Sequence, residues 1–384
     1  MNSPVAIDGG RARARELGLV PGRLPTGPAN AISDVPGIRV GHATVVAGAD
    51  IRTGVTAIVH DDLLIGAAAL PAGLSVFNGF GKMVGTTQVA ELGRLETPVL
   101  LTATLSVFLV ADALLSYLHE LRWGGERHGG DEPGTLNPVV AETNDGYLSD
   151  IWARPITADH VRMALDNAAA GGLIAEGCVG AGTGTSALGF KAGIGTASRI
   201  VSLATGPVTL GALVQANFGG ELTVLGTPFP AAEALAAAGI ADAGHGFGGS
   251  SGGGASRLSG GSWVIVLATD AALESRQLER VASRAFAGMA RTGSDFSGRS
   301  GDYALAFSTA ARRATAGPDE PVPHSDLDLL FRAAIEATEE AILNSLFMAT
   351  TTRGFRGHVR HAVPLDDVRA RLGIAQSDDT VTGR

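Results

Sequence analysis

Gly244-His-Gly-Phe-Gly-Gly-Ser-Ser-Gly-Gly-Gly-Ala-Ser-Arg-Leu-Ser-Gly-Gly261-Ser262-Trp-Val-Ile-Val-Leu-Ala-Thr-Asp270 changes character at a single bond. Up to Gly261 the chain is mostly glycine and serine, a composition that carries no core and favours a flexible segment. From Ser262 onward it becomes a continuous apolar run, the pattern of a buried strand. Ser262 therefore stands where a pliable segment meets a fixed one. The glycines permit strained backbone geometry ahead of a scissile bond, and the strand holds the serine behind it. A cut between Gly261 and Ser262 would give Ser262 a free α-amine with an ordinary pKa of about 7.7–8.0. Such an amine can take the proton of its own hydroxyl, so no histidine is needed. A structural serine opening a strand is the competing reading, and these residues alone leave both open.

Outward from this junction, short apolar runs alternate with glycine turns. Ile38–Val45, Val55–His60, Leu63–Leu70 and Val99–Thr104 are expected as buried strands. Ser106–Leu121 reads as a helix with Phe108, Ala111, Leu115 and Leu118 on one stripe. A strand is expected over Asn137–Glu142, a helix over Thr157–Ala170, a strand over Val208–Ala216 ending at Asn217, and a short helix over Ala231–Ala238. Past Ser262, helix 274–292 shows Leu278, Val281, Ala285 and Met289 on one face, Tyr303–Phe307 reads as a strand, and a last long helix opens at Ser325. Residues 1–29 lack a period, contain Pro21, Pro25 and Pro28, and read as an arm on the surface or at a subunit contact. The interleaved order predicts a layered α/β fold with mixed sheets.

The bulk composition removes several function classes. The 384 residues carry a net charge of −9 with no basic patch, which argues against a nucleic-acid partner. Apolar residues make up 45% and charged residues 17%, as in a folded chain with a sizeable core. Cys178 is the single cysteine, so no internal disulfide forms and a reducing cytosol suits the chain. Arg11, Arg13 and Arg15 are followed by no apolar signal segment. The most apolar stretch, Ser106–Leu118, is too short to span a bilayer and contains Asp112. A cytoplasmic protein with no membrane partner is expected. No histidine pair has metal-binding spacing and a lone cysteine excludes thiolate zinc clusters, so neither metal nor cofactor is expected. Gly180-Ala-Gly-Thr-Gly-Thr185 is open to two readings, a phosphate cradle or a tight packing turn; it lacks the Gly-Lys-Ser/Thr ending of a P-loop. Gly248-Gly-Ser250-Ser-Gly252 matches G-x-S-x-G in letters but has neither the strand before it nor the helix after it.

Several segments, in one order from about residue 28 to 370, together resemble the DmpA-type aminopeptidases, self-processing serine hydrolases that include L-aminopeptidase/D-amidases and β-peptidyl aminopeptidases. They are Asn30-Ala-Ile-Ser-Asp34-Val-Pro-Gly-Ile-Arg39-Val-Gly-His42, Asn137-Pro-Val-Val-Ala-Glu142-Thr-Asn144-Asp145, Gly180–Thr185 with Gly189–Thr196, Val214-Gln-Ala-Asn217-Phe-Gly219, Gly261-Ser262 with its strand, and Arg291-Thr-Gly with Ser300-Gly-Asp302 and Ala306–Thr309. The resemblance implies a four-layer αββα sandwich with two mixed β-sheets. It would be a single large domain cleaved into an α-fragment (arm 1–29 and body 30–261) and a β-fragment (262–384), assembled as a homo-oligomer, a tetramer of fragment pairs. It implies Ser262 as nucleophile, Asn217 as oxyanion donor, and Ser300 with Asp302 as groups that orient the nucleophile and its amine. Glu142, with Asn144 beside it, would bind the free amino group of a small peptide or amino-acid amide, which separates an aminopeptidase from an endopeptidase. The chain departs from the pattern in two places: Asn78-Gly-Phe80-Gly-Lys82 where Asn-Gly-x-Gly-Glu is expected, and Thr102-Ala-Thr104 where Thr-Asn-Thr is common. Three other activities fit much of the same sequence. They are a self-cleaving amidohydrolase of nylon-type or pantetheine-like amides, an acyltransferase, and a binding protein that never matures.

Overall fold

The computed structural model describes residues 10–124, 135–240, 261–310 and 322–374. The glycine-rich segment 244–260, with its G-x-S-x-G match, and most of the polar loop 122–136 lie outside the described residues.

Two mixed sheets stack face to face. The first runs, in spatial order, Arg39–Ala47 (β1), Ile51–Val59 (β2), Val99–Ala103 (β6), Val139–Thr143 (β7) and Met83–Val84 (β4). The second runs Ile194–Leu203 (β10), Gly206–Asn217 (β11), Ser262–Thr269 (β14), Gly301–Ser308 (β15), Leu70–Gly79 (β3) and Arg94–Leu95 (β5). Three short strand pairs, Ser186–Ala187 with Phe190–Lys191 (β8, β9), Thr223–Val224 with Thr227–Pro228 (β12, β13) and Thr352–Arg353 with Val359–Arg360 (β16, β17), stand apart from both. The helices are Asp61–Ile65 (α1), Thr86–Leu92 (α2), Val107–Trp123 (α3), Ala158–Ala170 (α4), Ala231–Ala237 (α5), Ser275–Arg291 (α6), His324–Phe347 (α7) and Leu365–Arg371 (α8).

Strand alternation builds the layers. In β14 every residue is buried, so both of its faces must be covered. Trp263, Ile265 and Leu267 pack with Leu278, Val281 and Ala285 of α6 and with Leu330 and Ala334 of α7. Val264, Val266 and Ala268 point the other way, against Val99, Leu101, Val139 and Ala141 of the first sheet. Leu100 and Val140, one residue out of phase, meet Val110 and Leu114 of α3 and Val161 and Leu165 of α4. The stacking is thus α3/α4, first sheet, second sheet, α6/α7, the expected four-layer αββα order.

Two local expectations are corrected. Leu63–Leu70 is not a strand: Asp61–Ile65 is helical, the backbone N–H of Asp62 donates to the His60 imidazole at the N-cap, and Gly66 closes the turn at φ +72°. Asp61 and Asp62 in the first turn suit the positive end of a helix, and the apolar run itself fits either structure. In α3 the buried face is Val107, Val110, Ala111, Leu114, Tyr117 and Leu118, while Phe108 is exposed. Phe108 lies in line with Asp112, Ser116 and Glu120, all exposed, and that polar row at four-residue spacing marks the outer face. The glycine loop adopts the packing reading: Gly180–Gly182 is a buried 3-10 turn, and a Cβ on Gly182 would lie 2.4 Å from the Ile194 nitrogen.

The described part of the arm lies on α7, with Ala14, Leu17 and Leu19 in the core. A buried ion network ties it down. Arg199 of β10 bonds Glu340 at 2.7 Å and Glu336 at 3.3 Å, and Arg15 bonds Glu340 at 2.9 Å. The Arg199 guanidinium also donates to the carbonyls of Pro21 and Ser198, both at 2.7 Å. Replacing Arg199 by Leu leaves buried carboxylates without their main cation. We expect a loss of about 3–5 kcal/mol in urea denaturation.

Candidate active site

Four neighbouring strands of the second sheet end level with one another. Asn217, the last residue of β11, is in register with Ser262, the first of β14. Ser262 is in register with Gly301, the first of β15, and Gly301 with Gly79, the last of β3. Core packing of β14 fixes this row, because a slip of one residue would turn its apolar faces inside out. Residues far apart in the chain are thereby held at strand spacing, about 4.8 Å from one to the next.

Ser262 is 5% exposed. The backbone N–H of Gly301 is shared between two acceptors, the carbonyl oxygen of Gly261 at 3.3 Å and Ser262 Oγ at 3.4 Å. The carbonyl before the serine and the serine hydroxyl thus face the same donor, at the long end of hydrogen-bond range. Asn217 is fixed at both ends of its amide: Oδ1 accepts from Ser186 N–H at 3.1 Å, and Nδ2 donates to the backbone carbonyl of Asn144 at 2.9 Å. Nδ2 has a second proton to give.

Ser300 donates its hydroxyl to Asp302 Oδ1. Asn78 Nδ2 donates to Asp302 Oδ2 at 2.7 Å. Burial pushes the Asp302 carboxyl above the usual range, while the bonds from Ser300 and Asn78 oppose that rise. The segment from Asn78 to Lys82 lies flat over this corner. Phe80 N–H donates to the Ser300 carbonyl at 3.1 Å, and a Cβ on Gly301 would come within 2.7 Å of Gly81 Cα.

Glu142 approaches from β7 of the facing sheet and is almost wholly buried. Its Oε1 accepts from the Lys82 backbone N–H at 2.9 Å and from Lys82 Nζ at 3.3 Å. Its Oε2 is buried and has no hydrogen-bond partner among the described residues. Lys82 Nζ also donates to Thr104 Oγ1 at 2.7 Å. Asn144 enters differently from the expectation. Its side chain closes an Asx turn on Gly146 N–H at 2.9 Å, and its backbone carbonyl is what reaches the site, through Asn217.

The sequence-expected side chains, Asn144 excepted, thus converge on one corner of the second sheet and the facing end of β7. Sequence reasoning quoted Asn78 and Gly301 within longer motifs but gave neither a role, and it saw Lys82 only as a departure from a pattern. The glycines at 79 and 81 were the available signal, since they let that segment lie against another backbone. Among the described residues no three His, Cys, Asp or Glu side chains converge as metal ligands, and no described helix is long and apolar enough to cross a membrane. A surface hollow lined by His60, Asp61, Asp270 and Thr309 lies at the other end of β14 and shares no residue with this corner. A buried hydroxyl, a preceding carbonyl facing an N–H, a side-chain amide and a half-satisfied carboxylate are together the parts of an acyl-transfer site.

Comparisons with known proteins agree. Residues 30–360 match the model of peptidase family S58. The chain is 38% identical over 373 residues to the β-peptidyl aminopeptidase BapA of Sphingosinicella microcystinivorans, covering 94% of this chain and 91% of that protein. A β-aminopeptidase from Burkholderia sp. superposes with a TM-score of 0.79 at 37% identity, covering 95% of this chain and 100% of that one. The L-aminopeptidase D-Ala-esterase/amidase of Ochrobactrum anthropi, described as a prototype of the serine aminopeptidases and a variant of the Ntn-hydrolase fold, superposes with a TM-score of 0.79 at 36% identity, covering 94% of this chain and 98% of that one.

Beneath the site lies a further carboxylate, Asp145, 2% exposed. Burial raises its pKa to about 7; the nearby charge of Glu142 adds to the rise, and buried Lys191 opposes it. A carboxyl raised in the folded state stabilises the fold below its unfolded pKa and loses that contribution as pH climbs through the folded value. The wild type should therefore lose stability between about pH 4 and pH 7, by up to about 1.4 kcal/mol per pH unit. Asp145→Asn should show a smaller loss, because Glu176, which burial also raises to about 7, keeps its own contribution. Urea denaturation at pH 5 and pH 8 checks it: the variant gains on the wild type at the higher pH.

Proposed function

The chain belongs to peptidase family S58 and is a serine-type aminopeptidase of the Ntn-hydrolase kind; on that premise we propose that it cuts itself between Gly261 and Ser262 and then uses Ser262 as its nucleophile. The carrying observation is the register of Asn217, Ser262 and Gly301, with the Gly261 carbonyl and Ser262 Oγ facing one N–H.

In the first stage Ser262 Oγ attacks the carbonyl carbon of Gly261. Negative charge developing on that oxygen is met by Gly301 N–H and by the second proton of Asn217 Nδ2. The Gly261–Ser262 C–N bond breaks, and the proton lost by the hydroxyl goes to the departing amine of Ser262. Water then hydrolyses the Gly261 ester, leaving a carboxylate on Gly261 and a free hydroxyl on Ser262. Residues 1–261, including the arm 1–29, and residues 262–384 stay together, because β14 and β15 of the second piece lie between β11 and β3 of the first inside one sheet.

In the second stage the new α-amine accepts the proton of Ser262 Oγ as it attacks the substrate. Asp302, steadied by Ser300 and Asn78, stabilises the ammonium that results. The substrate's own ammonium pairs with Glu142, so an internal peptide bond, which has none to offer, is refused. The leaving amine takes the proton, an ester forms on Ser262, and water releases the amino-terminal residue. Small peptides and amides or esters of amino acids are the substrates. We extend the reading to a cytoplasmic homo-oligomer of fragment pairs. Exposed Val76, Phe77 and Phe80 beside the site are an apolar surface on which another copy would rest.

Mass spectrometry of the purified protein should find two fragments meeting at Gly261/Ser262, and Ser262→Ala should remain one chain without activity. An intact wild type, or an active Ser262→Ala, overturns the proposal. Asn217→Ala should lower kcat on amino-acid p-nitroanilides by about 10²–10³-fold.

A further inference from the structure

The amine-binding carboxylate is already engaged by a cation of the chain itself. Resting on the reading that Glu142 receives the substrate's ammonium, we propose that Lys82 and Glu142 form a zwitterion pocket. It selects amino-terminal residues that carry a free carboxylate beside the free amine, and above all the β-aspartyl residue, joined to the rest of the substrate through its side-chain carboxyl.

Four observations support the assignment. Glu142 uses Oε1 for Lys82, and its buried Oε2 is left for an ammonium. Lys82 Nζ spends two of its three protons, on Thr104 Oγ1 and Glu142 Oε1, and keeps one. The Lys82 side chain is 38% exposed against 2% for Glu142, so the ammonium lies on the open side of the pair. The pair is also close to the reacting carbonyl. Gly81, one residue from Lys82, packs on Gly301 in register with Ser262, and Asn144, two residues from Glu142, holds Asn217.

Charge then chooses the substrate. Lys82 cancels Glu142, so a substrate bringing only an ammonium adds an unbalanced positive charge next to Nζ, which opposes binding. A substrate bringing ammonium and carboxylate on one carbon restores balance: the ammonium meets Oε2 and the carboxylate meets the spare Nζ proton. An ordinary α-linked residue lacks that carboxylate, because its carboxyl is the scissile carbonyl. In a β-aspartyl residue the amine is one carbon further from the scissile carbonyl and the α-carboxylate is free. It is a β-amino acid whose substituent is a carboxylate, and two of the similar proteins bear names that specify β-peptidyl or β-amino substrates. Hydrolysis follows the same course: the acyl C–N bond breaks, water supplies the hydroxyl, the leaving amine keeps the proton and aspartate is released.

The test compares kcat/KM of the self-cleaved wild type on β-aspartyl p-nitroanilide and β-alanyl p-nitroanilide. We expect at least a tenfold preference for β-aspartyl. Lys82→Gln should lower that ratio at least tenfold, mainly through KM, and Lys82→Arg should preserve it. A wild type that prefers β-alanyl overturns the inference by itself, even if a variant fails to fold. An unmoved ratio in folded Lys82→Gln also overturns it. If Ser262-dependent hydrolysis of β-alanyl or L-alanyl p-nitroanilide is seen without the β-aspartyl preference, the inference fails and the aminopeptidase mechanism stands. If no p-nitroanilide bearing a free amine is hydrolysed, both fall together.

Discussion

Everything at this site depends on the register of one strand. β14 is buried on both faces, so Trp263, Ile265 and Leu267 must meet α6 and α7 while Val264, Val266 and Ala268 meet the other sheet. A shift of one residue would exchange those sets and push the indole of Trp263 into the inter-sheet layer. The same constraint that packs the core therefore lines up Asn217, Ser262, Gly301 and Gly79. The proposed chemistry needs no separate scaffold, since it would use the row of strand ends that core packing has already aligned.

Much of this was legible in the sequence, for identifiable reasons. The boundary at Ser262 was visible because a glycine run and a buried-strand pattern meet there. Asn217 was visible as the end of an alternating strand, but its role, like those of Ser300 and Asp302, came only from the ordered resemblance to the DmpA-type aminopeptidases. Leu63–Leu70 was misread because an apolar run of that length satisfies helix and strand alike; the deciding contacts are the capping of Asp62 by His60 and the turn at Gly66. The face of α3 was misread because Phe108 was grouped with the apolar residues, whereas it lies in line with exposed Asp112, Ser116 and Glu120. The bond between Lys82 and Glu142 joins residues sixty positions apart, one just ahead of β4 and the other in β7, and no local pattern carries such a contact.

The carboxylates around the site show how differently one functional group can be treated within a short distance. Asp302 is buried but held by two donors, Ser300 and Asn78. Glu142 is satisfied on one oxygen and bare on the other. Asp145 is buried with opposing charges nearby, and its proton is held to about neutral pH. Burial acts on all three, and the differences arise from which donors the neighbouring backbone brings within reach. The Asn78–Lys82 segment supplies donors to two of them, Asn78 to Asp302 and Lys82 to Glu142, while its glycines allow it to lie against Gly301.

The inner position of β14 also bears on how such a molecule is born and lost. The proposed cut ahead of Ser262 would leave β14 joined through the chain only to β15, while the other strands of their sheet belong to the other piece and are held by hydrogen-bonded ladders, β14 on β11 and β15 on β3. Before the cut, folding is a first-order search by one chain; after it, refolding requires two pieces to meet and becomes concentration-dependent. The mature form would then persist because its unfolding is slow rather than because refolding is easy. Maturation in this architecture would be a one-way passage, and dilution alone would keep a denatured molecule from returning.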